Sequence, residues 1–255
     1  MPPPERVIPD RRAENEDREA EREIREAASR PDPVREARRE RRGFADREDA
    51  GERLAAALSS LSLDPPIVVL AVPRGGLEIG AEVARRLDAP LDVVIPRKVG
   101  APGNPELGLG AVAEGVRVLD ERLIRALDVG PGYLEQEIAR QEDEIRRRTS
   151  AYRGDLPATP IHGATAVVVD DGVATGGTAT AALRWARRAG AKSVVFAVPV
   201  APVDAARRLE TEADRVVVLL TPQRFFAVGQ WYGSFPQVSD ERVVELLRAG
   251  RRGAG

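Results

Sequence analysis

From residue 44 onward, short apolar runs alternate with segments in which apolar residues recur every three or four positions. Runs of the first kind are typical of buried strands, and segments of the second kind are typical of amphipathic helices. The pattern predicts strands at residues 67–72, 91–95, 166–169, 193–198 and 216–220, and helices at residues 44–61, 77–87, 121–127, 132–152, 177–189, 203–210 and 240–248. Residues 111–119 are predicted as short extended structure, and residues 222–238 as irregular. Such alternation indicates an α/β fold whose parallel sheet is covered on both faces.

Residues 1–42 lack this pattern. They contain 12 arginines and 12 aspartates or glutamates, so 24 of these 42 positions are charged. A segment with so little apolar surface cannot offset the entropy that it loses on ordering. We therefore expect residues 1–42 to be a disordered or loosely helical extension, or an arm that binds a partner. Residues 43–250 are expected to form the folded domain.

Composition excludes several classes of site. The chain has no cysteine and a single histidine, His162, which argues against a disulfide framework, a thiol nucleophile and a multi-histidine metal site. No run approaches 18 consecutive apolar residues, and the first residues lack the apolar core of a secretory signal. A net charge of −2 gives no electrostatic footprint for nucleic acid. The default expectation is a soluble cytoplasmic protein without nucleic-acid or membrane partners.

The most informative segment follows the strand predicted at residues 166–169. Its sequence from Asp170 to Thr178, Asp-Asp-Gly-Val-Ala-Thr-Gly-Gly-Thr, places two carboxylates before a loop of small residues that leads into a helix. Backbone N–H groups at a helix N-terminus, together with the hydroxyls of Thr175 and Thr178, make an anion site. Two carboxylates suit sugar hydroxyls or a nearby Mg²⁺ ion. The segment thus predicts a sugar-phosphate site, with a plain Asp-Gly turn before a capped helix as the alternative.

This segment resembles the motif with which type I phosphoribosyltransferases bind 5-phosphoribosyl 1-pyrophosphate (PRPP). The resemblance covers about residues 44–245 and implies a parallel sheet with flanking helices and a small C-terminal hood. It implies that Asp170 and Asp171 hold the ribose hydroxyls. It further implies that the 5-phosphate binds at Ala174, Thr175, Gly176, Gly177 and Thr178.

The end of the first predicted strand fits the same family. Residues 72–76 read Val-Pro-Arg-Gly-Gly. The family has a pyrophosphate-binding loop here, often with a basic residue beside glycine and a non-proline cis peptide. The resemblance gives this role to Arg74, Gly75 and Gly76, and an arginine offers a bidentate fork to phosphate oxygens. A plain strand-to-helix turn is the alternative.

Arg97 and Lys98 follow the second predicted strand and precede a glycine- and proline-rich stretch at residues 100–110. In the family, a mobile loop near this point closes over the active site. Arg97 and Lys98 would then neutralise the departing pyrophosphate, although a basic pair at a strand end is also common on a solvated surface. Lys98 and Lys192 are the only lysines in the chain, beside 37 arginines. A lysine at position 98, where arginine was the common choice elsewhere, therefore favours the functional role.

Five of the ten aromatic residues lie between residues 225 and 235. Such a cluster outside the regular elements is either a satellite core or a stacking wall for a planar ligand. In the resembled family a variable hood recognises the acceptor base, and here it would span about residues 221–238. Phe226, Trp231 and Tyr232 are its candidate acceptor-binding residues.

The resemblance implies transfer of a phosphoribosyl group from PRPP-Mg²⁺ to a nitrogenous acceptor, with release of pyrophosphate. Arg74, Arg97, Lys98 and Asp171 are the candidate catalytic residues. The Mg²⁺ cofactor would be held mainly by PRPP oxygens and water, with Asp170 or Asp171 as further candidate ligands.

The identity of the acceptor stays open. The hypoxanthine–guanine branch of the family uses an aspartate as base at the position of Ala174, so no protein base is evident here. A PRPP- or nucleotide-binding regulator without catalysis is the alternative function. The sequence also leaves a homo-oligomer open. It lacks a nucleophile elbow and a histidine at triad spacing, which argues against a hydrolase or acyl transferase.

Overall fold

The computed structural model describes residues 43–252, and the extension predicted at residues 1–42 lies outside the described residues. In chain order, the elements are α1 (Arg47–Ser59), β1 (Ile67–Ala71), α2 (Gly76–Leu87), β2 (Leu91–Val93), β3 (Arg97–Ala101), β4 (Asn104–Ala113), β5 (Val116–Leu119), α3 (Glu121–Ala126), α4 (Pro131–Arg153), β6 (Thr165–Val169), α5 (Gly177–Arg188), β7 (Ser193–Val200), α6 (Val203–Leu209), β8 (Arg215–Leu220), a 3-10 helix (Val228–Trp231) and α7 (Asp240–Arg252). Within residues 43–252, the hydrophobic pattern predicted all seven α-helices and all five strands of the main sheet, with small shifts at their ends.

The main sheet has five parallel strands in the order β2-β1-β6-β7-β8. Helices α1, α2, α4 and α7 pack on one face, and α5 and α6 pack on the other. Every residue of β6 is buried, since this central strand is covered on both sides. Continuous apolar runs are what such strands require. The predicted α/β class with helices on both faces is therefore confirmed.

A second sheet was not predicted. Strands β3, β4 and β5 form an antiparallel meander that includes most of the glycine- and proline-rich stretch. Its β4–β5 end packs an apolar face, which includes Ala111 and Val116, against Ala181 of α5. On the other side, the Tyr133 hydroxyl of α4 donates to the Gly100 carbonyl at 3.0 Å. The extended structure predicted at residues 111–119 is confirmed, since it holds the end of β4 and all of β5. Strand β3 and the first part of β4 were not predicted, because their glycines carry no side chain that could show the alternation.

The meander corrects the predicted position of Arg97 and Lys98. The second parallel strand ends at Val93, and Arg97 and Lys98 instead begin β3, where they pair with Val112 and Ala111 of β4. The pair therefore belongs to the antiparallel sheet rather than to the carboxyl end of a parallel strand. Stretch 100–110, for which the resemblance implies a mobile loop, is largely strand.

None of the helices between residues 43 and 252 is both long enough and apolar enough to cross a membrane.

Candidate active site

Two loops meet where β1 and β6 end. These strands are parallel neighbours, with Ala71 opposite Val169, and the Val72 N–H donates to the Val169 carbonyl at 2.8 Å. A Cβ atom added to Gly76 would lie 3.0 Å from the Asp170 Cα. Because parallel strands bring their carboxyl ends to one edge, ligands of such sheets bind there. The structure thus brings the Arg-Gly-Gly loop (residues 74–76) next to the acidic pair, Asp170 and Asp171.

Gly75 shows how closely the two loops approach. A Cβ atom at this position would lie 1.8 Å from Asp171 Oδ2, a distance that no side chain tolerates. Glycine is needed here because another group occupies the space of the side chain. The preceding peptide bond, Pro73–Arg74, is cis, as the resemblance implies for this loop. The Arg74 side chain is 38% exposed, and its Nη1 lies 3.7 Å from Asp240 Oδ1 at the start of α7.

The acidic pair concentrates two carboxylates in a desolvated position. Asp170 Oδ1 accepts a hydrogen bond from the Asp171 N–H at 2.8 Å. Burial and the neighbouring Asp171 raise the pKa of Asp170 well above its usual value. Burial also raises the pKa of Asp171, while Arg47 opposes this shift. Clustered, desolvated titratable groups of this kind are frequent at functional sites.

Residues 174–178 connect the acidic pair to α5. Gly176 is the N-cap of α5 and has φ = +87°, a left-handed conformation that favours glycine. No acidic residue occupies the first turn of α5, so the positive end of the helix dipole stays available to an anion. Arg208 Nη2 donates to the Thr175 carbonyl at 3.1 Å. Part of this loop lines a cavity of about 570 Å³ that extends between the β3–β5 meander and α6.

Gly176 and Gly177 provide a matched test of this loop geometry. We expect Gly176→Ala to lower the free energy of unfolding by about 1–2 kcal/mol, because a Cβ atom is disfavoured at positive φ. Gly177→Ala should change it by less than about 0.5 kcal/mol, since a Cβ atom there meets nothing within 4 Å. Urea denaturation of both variants measures the difference, and equal losses would contradict the left-handed N-cap.

Arg97 and Lys98 each have a protein partner. Arg97 Nε donates to Gln141 Oε1 of α4 at 3.0 Å, and the residue lines a cavity of about 500 Å³ along that helix. Burial and the nearby Arg148 lower the pKa of Arg97. Lys98 Nζ donates across the hairpin to the Glu106 carboxylate at 3.1 Å and to its carbonyl at 2.7 Å. In the described residues, neither cation contacts the acidic pair.

The three candidate hood aromatics differ in environment. Phe226 is 87% exposed, so its ring is available to a ligand. Trp231 is partly buried and stacks on Phe225, with ring centroids 6.5 Å apart. Tyr232 is buried, and its hydroxyl donates to the Asp171 carbonyl. Burial raises the pKa of Tyr232, which keeps the hydroxyl protonated and able to donate.

Tyr232 therefore holds the backbone of Asp171 through this hydrogen bond. Its ring lies between Phe44 at 5.3 Å and Phe235 at 4.8 Å, measured between ring centroids. The structure thus corrects the prediction that Tyr232 offers an open face to an acceptor, because aromatic neighbours already cover the ring.

Sequence reasoning missed Arg47. This residue begins α1, and its Nε lies 2.9 Å from Asp171 Oδ2. A cation in the first turn of a helix is opposed by the helix dipole. An arginine directly after the N-cap Asp46 was therefore the available signal that the position serves a distant contact.

Comparison with known proteins agrees with this geometry. The family model for the phosphoribosyl transferase domain matches residues 45–232, which include both loops, the β3–β5 meander and most of the aromatic segment. The chain therefore belongs to the phosphoribosyl transferase domain family. The family predicted from the acidic loop is confirmed.

Individual relatives are also similar over most of the chain. A solved structure of TT1426 from Thermus thermophilus is 48% identical, with a TM-score of 0.70, and the match covers 84% of this chain and all of that one. Two curated proteins of Mycobacterium tuberculosis, named as candidate phosphoribosyl transferases Rv0571c (strain H37Rv) and MT0597 (strain CDC 1551), are 46% identical over 210 residues. The match covers 82% of this chain and 47% of each relative, so the chain spans about half the length of these proteins.

Proposed function

We propose that this domain binds PRPP-Mg²⁺ at the carboxyl edge of β1 and β6 and transfers its phosphoribosyl group to a nitrogenous acceptor. The observation that carries the proposal is the contact between the Arg-Gly-Gly loop and the acidic pair at Gly75 and Asp171. In this proposal the Arg-Gly-Gly loop binds the pyrophosphate and the acidic pair binds the ribose hydroxyls, so the contact between the two loops suits two adjacent groups of one ligand. The N-terminus of α5 lies on the same segment, a few residues further along the chain.

In this proposal the protein acts by positioning and by charge. Asp170 and Asp171 accept hydrogen bonds from the ribose hydroxyls and thereby orient the sugar. Residues 174–178 hold the 5-phosphate with backbone N–H groups and threonine hydroxyls. Arg74, beside the cis peptide, neutralises charge that develops on the leaving pyrophosphate. No covalent nucleophile is needed, which agrees with a chain that contains no cysteine.

The donor groups fit a Mg²⁺ ion carried by the substrate. Among the described residues, no group of three or more histidine, cysteine, aspartate or glutamate residues is placed to hold a metal. Mg²⁺ prefers few protein carboxylates together with phosphate oxygens and water. Asp170 or Asp171 would be the protein ligands of the ion, which would neutralise pyrophosphate charge when bound.

Lys98 has a catalytic role only if it leaves its present partner. Glu106 is 94% exposed in its side chain, so its ion pair with Lys98 is a weak surface pair. A pyrophosphate would have to replace this ion pair and also the hydrogen bond that Lys98 donates to the Glu106 carbonyl. We propose that Lys98 turns to the leaving group when substrate is bound. Arg97, which was also predicted from the sequence as a candidate catalytic residue, donates to Gln141 of α4, and we propose that it keeps this contact when substrate is bound.

The two lysines of the chain allow a clean test of this role. Lys98→Ala should lower kcat by about 10²-fold with PRPP as donor, because one charge that stabilises the transition state is lost. Lys192→Ala is the control, since Lys192 also forms one exposed ion pair, with Asp64 at 3.2 Å. Both variants should unfold at the wild-type urea concentration. Equal activity of the two variants would contradict a catalytic role for Lys98.

A panel of acceptors tests the transfer reaction itself. The protein is incubated with PRPP, Mg²⁺ and single purine bases, pyrimidine bases or other nitrogenous acceptors, and pyrophosphate release is measured. We expect one or more acceptors to produce release that depends on acceptor concentration. Binding of PRPP without any acceptor-dependent release would instead favour a regulatory PRPP-binding protein.

A further inference from the structure

Arg47 is the only arginine among residues 43–251 that is buried, with 6% of its surface exposed. It begins α1, where the helix dipole disfavours a cation. A buried charge at an unfavourable helix position requires strong compensation from elsewhere in the fold. Its contacts show where this compensation comes from.

One side of the Arg47 guanidinium faces the proposed ribose site. Arg47 Nε donates to Asp171 Oδ2 at 2.9 Å, and both side chains are largely buried, at 7% and 16% exposure. A Cβ atom on Gly75 would lie 2.9 Å from the same Nε. The ion pair therefore lies against the Arg-Gly-Gly loop, at the point where this loop meets the acidic pair.

Two further contacts of Arg47 are in the hood. Arg47 Nη1 donates to the Pro236 carbonyl at 2.7 Å, and the guanidinium carbon lies 3.8 Å from the centre of the Phe235 ring. Phe235 in turn packs on Tyr232, whose hydroxyl donates to the Asp171 carbonyl. Asp171 is thus held by its side chain through Arg47 and by its backbone through Tyr232.

Charge explains why an arginine is suited to this position. Asp170 and Asp171 are adjacent, and Asp170 accepts a hydrogen bond from the Asp171 N–H. The Arg47 guanidinium donates a hydrogen bond to the Asp171 carboxylate and so places a positive charge beside the pair. Glu78 lies near the same guanidinium, 3.6 Å from Nη1. Only a planar group with several N–H donors can bond a carboxylate and a carbonyl and also stack on a ring.

We propose that Arg47 is a positioning residue that fixes the Asp171 carboxylate for the ribose hydroxyls and couples this carboxylate to the hood. The inference rests on the proposed function, because it assigns a purpose to the orientation of Asp171. It predicts a ligand-selective defect. Loss of Arg47 should lower the affinity for ligands that contain the ribose, whereas inorganic pyrophosphate should still bind at the Arg-Gly-Gly loop.

Calorimetric titration of PRPP-Mg²⁺ and of pyrophosphate-Mg²⁺ separates these effects. For Arg47→Met we expect the Kd of PRPP to rise at least about 30-fold, on the scale of one charge-assisted hydrogen bond to a substrate-binding group. The Kd of pyrophosphate should stay within about threefold of wild type. Arg47→Lys should weaken PRPP binding less, since an ammonium keeps the charge but cannot make all three contacts.

Arg53→Met is the matched control. Arg53 lies on the same helix and also stacks on an aromatic ring, that of Phe44 at 4.5 Å, but its hydrogen bond goes to the Gly43 carbonyl. We expect this variant to bind both ligands as wild type does. If Arg47→Met fails to fold, the PRPP-to-pyrophosphate ratio of Arg47→Lys carries the test.

Two results would overturn the positioning role. One is wild-type PRPP affinity in both Arg47 variants, and the other is an equal loss of PRPP and pyrophosphate binding, which marks a merely structural residue. Failure of the wild-type protein to bind PRPP is a different outcome, because it would reject the proposed function itself.

Discussion

Replacing Asp170 with Asn should weaken PRPP binding by about 10- to 100-fold while leaving the protein as stable as wild type or more stable. The loss of affinity follows because a charged acceptor of ribose hydroxyls becomes neutral, and a hydrogen bond to a charged group contributes about 1.5–3 kcal/mol. The unchanged or higher stability has a different cause, namely the burial of the Asp170 carboxyl beside Asp171. Burial and Asp171 raise the pKa of Asp170, so its ionised form costs the folded state free energy.

The pH dependence of this effect has a definite sign. A carboxyl group whose pKa is raised on folding reduces stability as the pH rises above its unfolded value of about 4. The stability advantage of Asp170→Asn should therefore increase from pH 4 upward. Urea denaturation at several pH values measures stability, and calorimetry with PRPP-Mg²⁺ measures binding.

Asp204→Asn serves as the control. Asp204 is an exposed aspartate in the first turn of α6, and within residues 43–252 it forms no hydrogen bond or ion pair with the acidic pair. It should bind PRPP as wild type does. Combined with Asp171→Asn, the Asp170 change should weaken binding more than either change alone. A double variant that keeps wild-type affinity would rule out the acidic pair as the ribose site.

Asp92 should stabilise the folded protein, in contrast to Asp170, whose ionised form destabilises it. It lies in β2 with 1% of its surface exposed and pairs with Arg153 at 3.0 Å and with Arg251 at 2.7 Å. It also accepts hydrogen bonds from the Val93 and Thr159 N–H groups, both at 2.8 Å. This carboxylate joins β2 to the ends of α4 and α7, since the two arginines belong to those helices.

We expect Asp92→Asn to lower the free energy of unfolding by about 3–5 kcal/mol, because two largely buried guanidinium groups lose their counter-charge. Urea denaturation measures the loss, with Asp155→Asn as an exposed control that should remain near wild type. A change below about 1 kcal/mol would show that water compensates these arginines. PRPP affinity of the folded fraction should remain unchanged, since the partners of Asp92 include no residue of the Arg-Gly-Gly loop or of the acidic pair among the described residues.

The sequence could predict those parts of the site that lie within one segment. The acidic pair and residues 174–178 directly follow a strand and lead into a helix within one continuous segment. Their residue types and order are therefore enough to predict a sugar-phosphate site without a structure. The Arg-Gly-Gly loop was predicted for the same reason. That these two loops touch at Gly75 follows from the β1–β6 pairing, which a parallel sheet allows but a sequence does not specify.

Contacts between distant segments were missed. Arg47 lies 124 residues from Asp171, and Asp92 lies 61 residues from Arg153, so no local pattern links them. Strand β3 and the first part of β4 were missed because glycine and proline suppress the alternation that marks a strand, whereas the extended structure at residues 111–119 was predicted. Tyr232 was predicted as a ligand-binding ring because composition reveals an aromatic cluster but not which of its members are buried.

Direct binding of PRPP-Mg²⁺ to the wild-type protein tests the central claim most directly. At a PRPP concentration near 100 times the Kd, ligand binding adds about 2.7 kcal/mol to stability. For a domain of this size, this corresponds to an increase in the unfolding midpoint of several degrees. We predict such an increase with PRPP-Mg²⁺. An unchanged midpoint at saturating PRPP-Mg²⁺ would contradict the assignment of this site.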